Sequence, residues 1–228
     1  MGQHALREVF VLKSVRIWFK KTDECKYISH LDLNRCMMRA IKKAKVPLWY
    51  TEGFNPHPFI VFTSALSLGI SGLNESFDIK LLDNAEMTKE EIISSMNNGL
   101  PKGIRITNVT EPVDKASEVA FASFSIKIYD DNGKALDLIN DFLNQDEILQ
   151  EKKSKKGVNV INLKEYIKEI NIQNLNGLIL IDIILPAGNS QNINPLLILS
   201  AFEKYCNYKY HYDISRCNLL KNDLTKFE

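Results

Sequence analysis

Apolar and polar residues alternate along SVRIWFK (14–20): Val15, Ile17 and Phe19 fall on one side, Arg16, Trp18 and Lys20 on the other. A period of two marks a strand with one buried face. The period then lengthens. Leu33, Met37, Ala40, Ile41 and Ala44 recur at spacings of three and four, which lines one face of a helix. Ser29 opens that helix, with Asp32 three residues on as a variant of the capping box, and Pro47 ends it after about Lys45. A strand is expected over PFIVFTSAL (58–66), a turn at Gly69 and Gly72, and a strand over SFDIKLL (76–82), where Phe77, Ile79 and Leu81 alternate. Thr88 and Glu91 open a second helix, TKEEIISSMNNGL, which Pro101 and Gly103 close ahead of a strand at IRITNVT (104–110). Strand, helix, strand, strand, helix, strand is the ferredoxin-like order, an antiparallel sheet with two helices on one face.

The second half repeats this order of elements, without residue-level self-similarity. FASFSIKIYD (121–130) is a strand and ALDLINDFLN (135–144) a helix. EILQEKKS and GVNVINL form a hairpin across Lys155, Lys156 and Gly157, and KEYIKEI (164–170) a short helix. NGLILIDIILP (176–186) is a strong strand, Asn194 and Pro195 open the helix NPLLILSAFEKYCN, and YKYHYDI (208–214) closes as a strand. The expected fold class is α+β: two tandem ferredoxin-like (βαββαβ) units, antiparallel sheets with helices on one face. One spans residues 12–112 and the other 118–228, joined near EPVDKASE (111–118).

Composition narrows the classes. With 45% hydrophobic and 25% charged residues, neither disorder nor a collagen-like chain is favoured. No apolar run approaches roughly 18 residues; LILIDIIL (178–185) is short and carries Asp182. MGQHALREVF has no apolar signal core, and Leu6 stands where a myristoylation motif wants Ser or Thr, so a cytoplasmic protein is expected. Cys25, Cys36, Cys206 and Cys217 form no C-x-x-C pair, so reduced thiols and no metal or cofactor are expected. Charge is uneven: residues 1–60 hold eleven Lys and Arg against five Asp and Glu, a net +6, while the remainder is −5. Such asymmetry points to a basic face for an anionic partner, or to ordinary solvated lysine.

On a helix with 100° per residue, Arg35, Arg39 and Lys42 form one stripe opposite the apolar face, with Lys43 and Asp32 at its edge. Three cations in line suit a phosphate backbone; the alternative is a surface ion pair of Asp32 with Arg35 or Arg39. Lys152, Lys153, Lys155 and Lys156 at the hairpin tip extend such a track or make a solvated turn. His30 stands at the first helical turn, whose dipole disfavours the imidazolium, so it is either a neutral acid–base or ligand group or a capping residue. Residues 50–58, YTEGFNPHP, contain Glu52, Gly53, Phe54, Asn55 and His57. Gly53 permits positive φ, and Pro56 and Pro58 fix the backbone on either side of His57, so the loop is stiff before any ligand arrives. The two histidines lie at opposite ends of the helix, about 25 Å apart along its axis, which argues against a shared metal. Trp18, Tyr27, Tyr50 and Phe54 are candidates for stacking on bases, or core residues.

YISHLDLNRCMMRAIKKAKVPLWYTEGFNPHPFIVFTSALSLGI, then ESFDIKL and the NNGLPKGI turn, together resemble a bacterial family, the radical-SAM-linked proteins (domain of unknown function 2344). The resemblance covers residues 14–110 well and the second half through EKKSKK and VINLKEYI, where Asn162 stands at a position the family usually gives to aspartate. It implies a companion of a radical-SAM protein, in RNA or ribosome modification, with the ISHLD and EGFNPHP residues (Tyr27, Ser29 and Asp32 among them) as its working surface. The layout also looks like that of the CRISPR repeat-processing endoribonucleases, an analogy of fold alone. Three functions follow as expectations. The first is a non-catalytic RNA-binding or substrate-presenting partner of a radical-SAM enzyme. The second is a metal-independent endoribonuclease using His30, assisted by Tyr27 or Ser29. The third is a protein-interaction module.

Overall fold

Lys13–Lys21 forms the first strand, β1, and both of its faces are covered. Val15, Ile17 and Phe19 are buried as the alternation requires, but Arg16 is 0% exposed and Trp18 only 8%. The half-buried expectation fails because Asp114, Phe227 and Glu228 cross the second face: Phe227 packs on Trp18 and beneath the Arg16 guanidinium. The computed structural model describes residues 13–82, 87–130, 133–154 and 157–228, with the main chain alone at 153 and 154.

Helix α1 spans His30–Lys43, capped by Ser29, with Leu33, Met37, Ala40 and Ile41 buried; Lys45 turns left-handed beyond it (φ 54°). The expected strand over 58–66 shrinks to β2, Ile60–Phe62, because the main-chain carbonyls of Ser64 and Ala65 turn away to bind the side chain of Arg216. Strand β3 is longer than expected, Ile70–Leu81. Gly69 makes the turn (φ 79°), whereas Gly72 lies within the strand. Helix α2, Lys89–Asn97, is closed at its start by the Thr88–Glu91 capping box, and β4 is Ile104–Thr110.

The second half supplies β5 (Phe121–Tyr129), α3 (Ala135–Asn144), β6 (Leu149–Ser154), β7 (Gly157–Asn162), β8 (Glu169–Asn174), β9 (Leu178–Pro186), α4 (Pro195–Cys206) and β10 (His211–Leu220). The short helix expected over 164–170 is a single 3-10 turn at Leu163–Tyr166, and the chain then becomes β8. Ile170 and Ile172 sit opposite Ile183 and Ile181 of β9, and that pairing outweighs a local helical period. The closing strand starts later than expected, at His211, and runs on to Leu220.

These elements build a mixed α+β fold: four α-helices among the described residues and a mostly antiparallel eight-stranded sheet. Its order is β4-β1-β3-β10-β5-β9-β8, with β2 also on β3, and β6–β7 stands apart as a two-stranded ribbon. The two halves share one sheet through a parallel ladder of three residue pairs, Ile70–Gly72 with Ile214–Arg216. Two apolar clusters lie on either side of that seam. One joins β1, β3 and β4 to α1 and α2. The other joins β5, β9 and β10 to α3 and α4. No helix among the described residues is long and apolar enough to cross a membrane.

Candidate functional site

The turn that leads into the ISHLD segment is tied to the seam: the Gly69 N–H donates to the Lys26 carbonyl (3.0 Å) and Lys26 pairs with Asp213. The Asp32 N–H donates to Ser29 Oγ (3.1 Å), and the Ser29 hydroxyl donates to Asp32 Oδ2 (2.7 Å). This hydroxyl, with Arg35 and Arg39 behind it, holds the Asp32 carboxyl below its usual range. Ser29 is therefore committed to the cap. His30, on the exposed surface of the first turn, meets the ring of Phe62 edge to face, with centroids 4.9 Å apart. Desolvation, and then the charge of Lys21, push its titration below the ordinary histidine value. No carboxylate among the described residues bonds to it, so nothing fixes a tautomer for proton transfer. Tyr27 is exposed, and Lys26 stands 5.3 Å over its ring while pairing with Asp213 (2.7 Å).

Beneath this segment is a group of buried charges. Lys21 is 1% exposed and donates to the Ile28 carbonyl (2.9 Å). Glu75 on β3 and Arg216 on β10 form a two-bond pair, one arm being Nε to Oε1 at 2.8 Å, and both residues are buried. Arg216 also donates to Ser64 Oγ (3.2 Å) and to the Ala65 carbonyl (3.2 Å), which pins the loop after β2 across the seam. Burial lowers the Lys21 titration most; Glu75 opposes that shift and Arg216 adds to it. Candidate residues chosen from the sequence omitted all three. A signal was there: Lys21 extends the odd-numbered apolar set 15, 17, 19, Glu75 precedes Phe77 and Ile79 in theirs, and Arg216 follows Tyr212 and Ile214. A charge on the apolar parity of a strand is a charge that must be paired inside.

The basic stripe is exposed as expected: Arg35, Arg39, Lys42 and Lys43 all face solvent. Arg35 pairs with Asp32 at 3.2 Å, both side chains more than half exposed, a pair worth about 0–1 kcal/mol. Arg39 and Lys42 have no ion-pair partner among the described residues. The second group of lysines is not brought onto this stripe by any described contact. Lys152 lies on β6 and donates to the Asn192 carbonyl ahead of α4 (2.6 Å); Lys153 is placed by its main chain, and Lys155 and Lys156 fall outside the described residues. Asn162 keeps a local duty: its Oδ1 accepts from Ile148 (3.0 Å) and Lys164 (3.2 Å), contacts an aspartate oxygen would also make.

The proline-rich loop is a hairpin. Trp49 N–H donates to Lys80 O (2.9 Å), Phe59 N–H to Trp49 O (3.3 Å) and Thr51 N–H to His57 O (2.9 Å), with a bridge between Tyr50 and Pro58. Lys80 lies over both Trp49 and Phe59, 5.2 and 4.7 Å from their ring centres, and clamps the base. His57 N–H donates to Thr51 Oγ1 (3.2 Å), and Nδ1 lies 3.0 Å from that oxygen and 3.2 Å from the Asn55 carbonyl. With the proton on Nδ1 the ring donates to these oxygens; with it on Nε2 the Thr51 hydroxyl donates to Nδ1. His57 thus holds the turn together from an exposed position. Glu52, Gly53, Phe54, Asn55 and Pro56 form the exposed tip. His30 and His57 do not meet: one rests on Phe62, the other is held by Thr51 at the far end of the hairpin. Among the described residues no group of three His, Cys, Asp or Glu is placed to hold a metal ion. Trp18 is buried, which removes it from the candidates for stacking.

A family model described as "Uncharacterized protein conserved in bacteria (DUF2344)" matches residues 14–195. No curated protein matches the chain. Among solved structures, an unknown protein from Galdieria sulphuraria is 13% identical, with a TM-score of 0.26 over 90% of this chain and 98% of its own. A protein assigned as a glycine cleavage system transcriptional repressor is 11% identical, with a TM-score of 0.23 over 93% and 99%. Scores of this size carry no argument about what the chain does.

Proposed function

The chain belongs to this family of uncharacterised bacterial proteins, and on that premise we propose that it binds RNA without cleaving it, as a substrate-presenting partner of a radical-SAM enzyme. The observation that carries the RNA half is the exposed stripe on α1, where Arg39 and Lys42 have no ion-pair partner among the described residues and stand in line with Arg35. Unpaired cations on a rigid helix are a ready contact for successive phosphates, and arginine grips two oxygens of one phosphate. The partner is carried over from the resemblance of the ISHLD and EGFNPHP segments, and because the four cysteines form no cluster-binding triad the radical chemistry would be the partner's.

The fold is read here as two ferredoxin-like units, divided near residues 111–118. Two facts support that reading: β4-β1-β3-β2 and β10-β5-β9-β8 repeat one strand order, and the neighbours within each set are antiparallel. In this view the seam of three residue pairs is a junction between repeats.

Fluorescence anisotropy with a labelled single-stranded RNA, titrated from 50 to 200 mM potassium chloride, tests the function. Three phosphate contacts give a slope of log affinity against log salt of about −2. Arg39→Glu with Lys42→Glu should weaken binding and flatten that slope. Binding indifferent to salt, or absent altogether, overturns the reading. RNA cut during the assay by the wild type but not by His30→Ala would transfer it to an endoribonuclease. Ser29 held in its cap and His30 without an orienting carboxylate both speak against that outcome.

A further inference from the structure

Phe54 has a relative exposure of 107%, more open than in an extended reference peptide. A large apolar ring held fully in water forgoes about 1.5–3 kcal/mol of burial. A flexible loop would let such a ring fold back onto the surface. This one is closed by two cross-strand main-chain hydrogen bonds and by His57 held against Thr51 and Asn55, with Gly53 in a conformation (φ 133°) that side chains rarely adopt. The ring is held out at the apex of a stiffened turn.

We propose that Phe54 is a stacking wedge for an unpaired base of the bound RNA, an inference that rests on the RNA-binding reading above. Its surroundings favour a base over a protein pocket. The other tip residues, Glu52, Gly53, Asn55 and Pro56, are exposed and include no large apolar side chain. An aromatic anchor in a protein interface works inside a collar of contacts that excludes water, whereas a base stacks on a single ring. The charges agree. The Glu52 carboxylate keeps phosphates off the tip, while Arg39 and Lys42 lie on the helix whose end leads, through exposed Lys45, into the base of the hairpin at Trp49. The polyanion's backbone follows the helix and one splayed base reaches the ring.

The test compares the wild type with Phe54→Ala, Phe54→Tyr and the stripe variant Arg39→Glu/Lys42→Glu. Each is titrated with a single-stranded RNA carrying 2-aminopurine and with the same sequence as a duplex. Stacking predicts that Phe54→Ala weakens single-strand binding by about 5- to 150-fold and abolishes the change in 2-aminopurine emission. Duplex affinity and the salt slope stay unchanged, and Phe54→Tyr behaves as wild type. Full exposure of the ring makes the substitution safe for folding, which an unaltered melting temperature checks. If Phe54→Ala binds single strands as well as wild type while the stripe variant loses affinity, the wedge falls and the RNA reading stands. If the wild type binds no RNA, both fall. If Phe54→Ala loses only a protein partner, the ring belongs to a protein pocket and the wedge is wrong.

Discussion

Cutting the buried charges at the seam should unbalance this fold more than any surface change. Arg216 is 4% exposed, Glu75 3% and Lys21 1%, so two cations and one anion share the site. Removing one member of a buried pair costs about 3–5 kcal/mol, because the other is left charged without water. The sign of the remainder sets which end of that range applies. Arg216→Met leaves Glu75 with Lys21 close enough to interact, so one anion faces one cation, and the loss should be near 3 kcal/mol. Glu75→Gln leaves two cations facing each other with no anion, and the loss should be near 5 kcal/mol. For a chain of this size each kcal/mol moves the melting temperature by about 2–4 °C, so the shifts are roughly 6–12 °C and 10–20 °C. The double variant Arg216→Met/Glu75→Leu should recover most of the loss, since apolar replacement of a buried pair is often neutral. Calorimetry is the assay of choice. The parallel ladder at the seam has three residue pairs, so the single variants should also broaden the transition as the coupling between the halves weakens. Single variants that melt within 2 °C of wild type, or Glu75→Gln proving milder than Arg216→Met, would refute the reasoning.

The same site is reached from the other side by Gly72→Ala. A Cβ there would lie 2.4 Å from Glu75 Cγ, so the carboxylate must leave Arg216, and a melting curve should show a loss of about 1–3 kcal/mol. Ser29→Ala removes the cap of α1 and should cost about 1 kcal/mol in urea denaturation, with Ser29→Asp restoring most of it. His30 titrates below its unfolded value of 6.5, chiefly through desolvation. Between those two values the unfolded chain binds more protons, so stability is complete above pH 6.5 and falls as pH drops through the window. His30→Gln should lose that dip between pH 7.5 and 5, and an identical profile in both proteins would contradict the assignment. Thr51→Val deletes the hydroxyl that joins His57 to the turn, and faster amide exchange at residues 51–57 should follow with little change in global stability.

Local physics was legible in the chain before any coordinates. The Ser29, Thr88 and Asn194 caps, the apolar stripe of α1 and the strands β1, β5 and β9 all appear where the pattern puts them, because each depends on neighbours within a few residues. The stiffness of the EGFNPHP turn was equally readable, since glycine and proline act on their own backbone. KEYIKEI shows the limit. Tyr166, Ile167 and Ile170 carry a helical spacing, yet Ile170 is claimed by Ile183 from thirteen residues away.

What only the tertiary structure decided is where distant edges meet. Ile214 lies beside Ile70 across 144 residues, a parallel pairing that no local period encodes. That contact made Glu75 and Arg216 partners, drew the Ser64–Ala65 carbonyls out of β2 and set Lys21 beneath His30. Each of those three charges stands on the apolar parity of its own strand, which announced that it would be buried. Which charge would neutralise which depended on strand order and on the shift in register between Phe19 and Lys21, where β1 pairs with β3. Alternation tells a strand which face turns inward, but carries no information about which strand lies beside it, and electrostatic pairing in the core is settled by the neighbour.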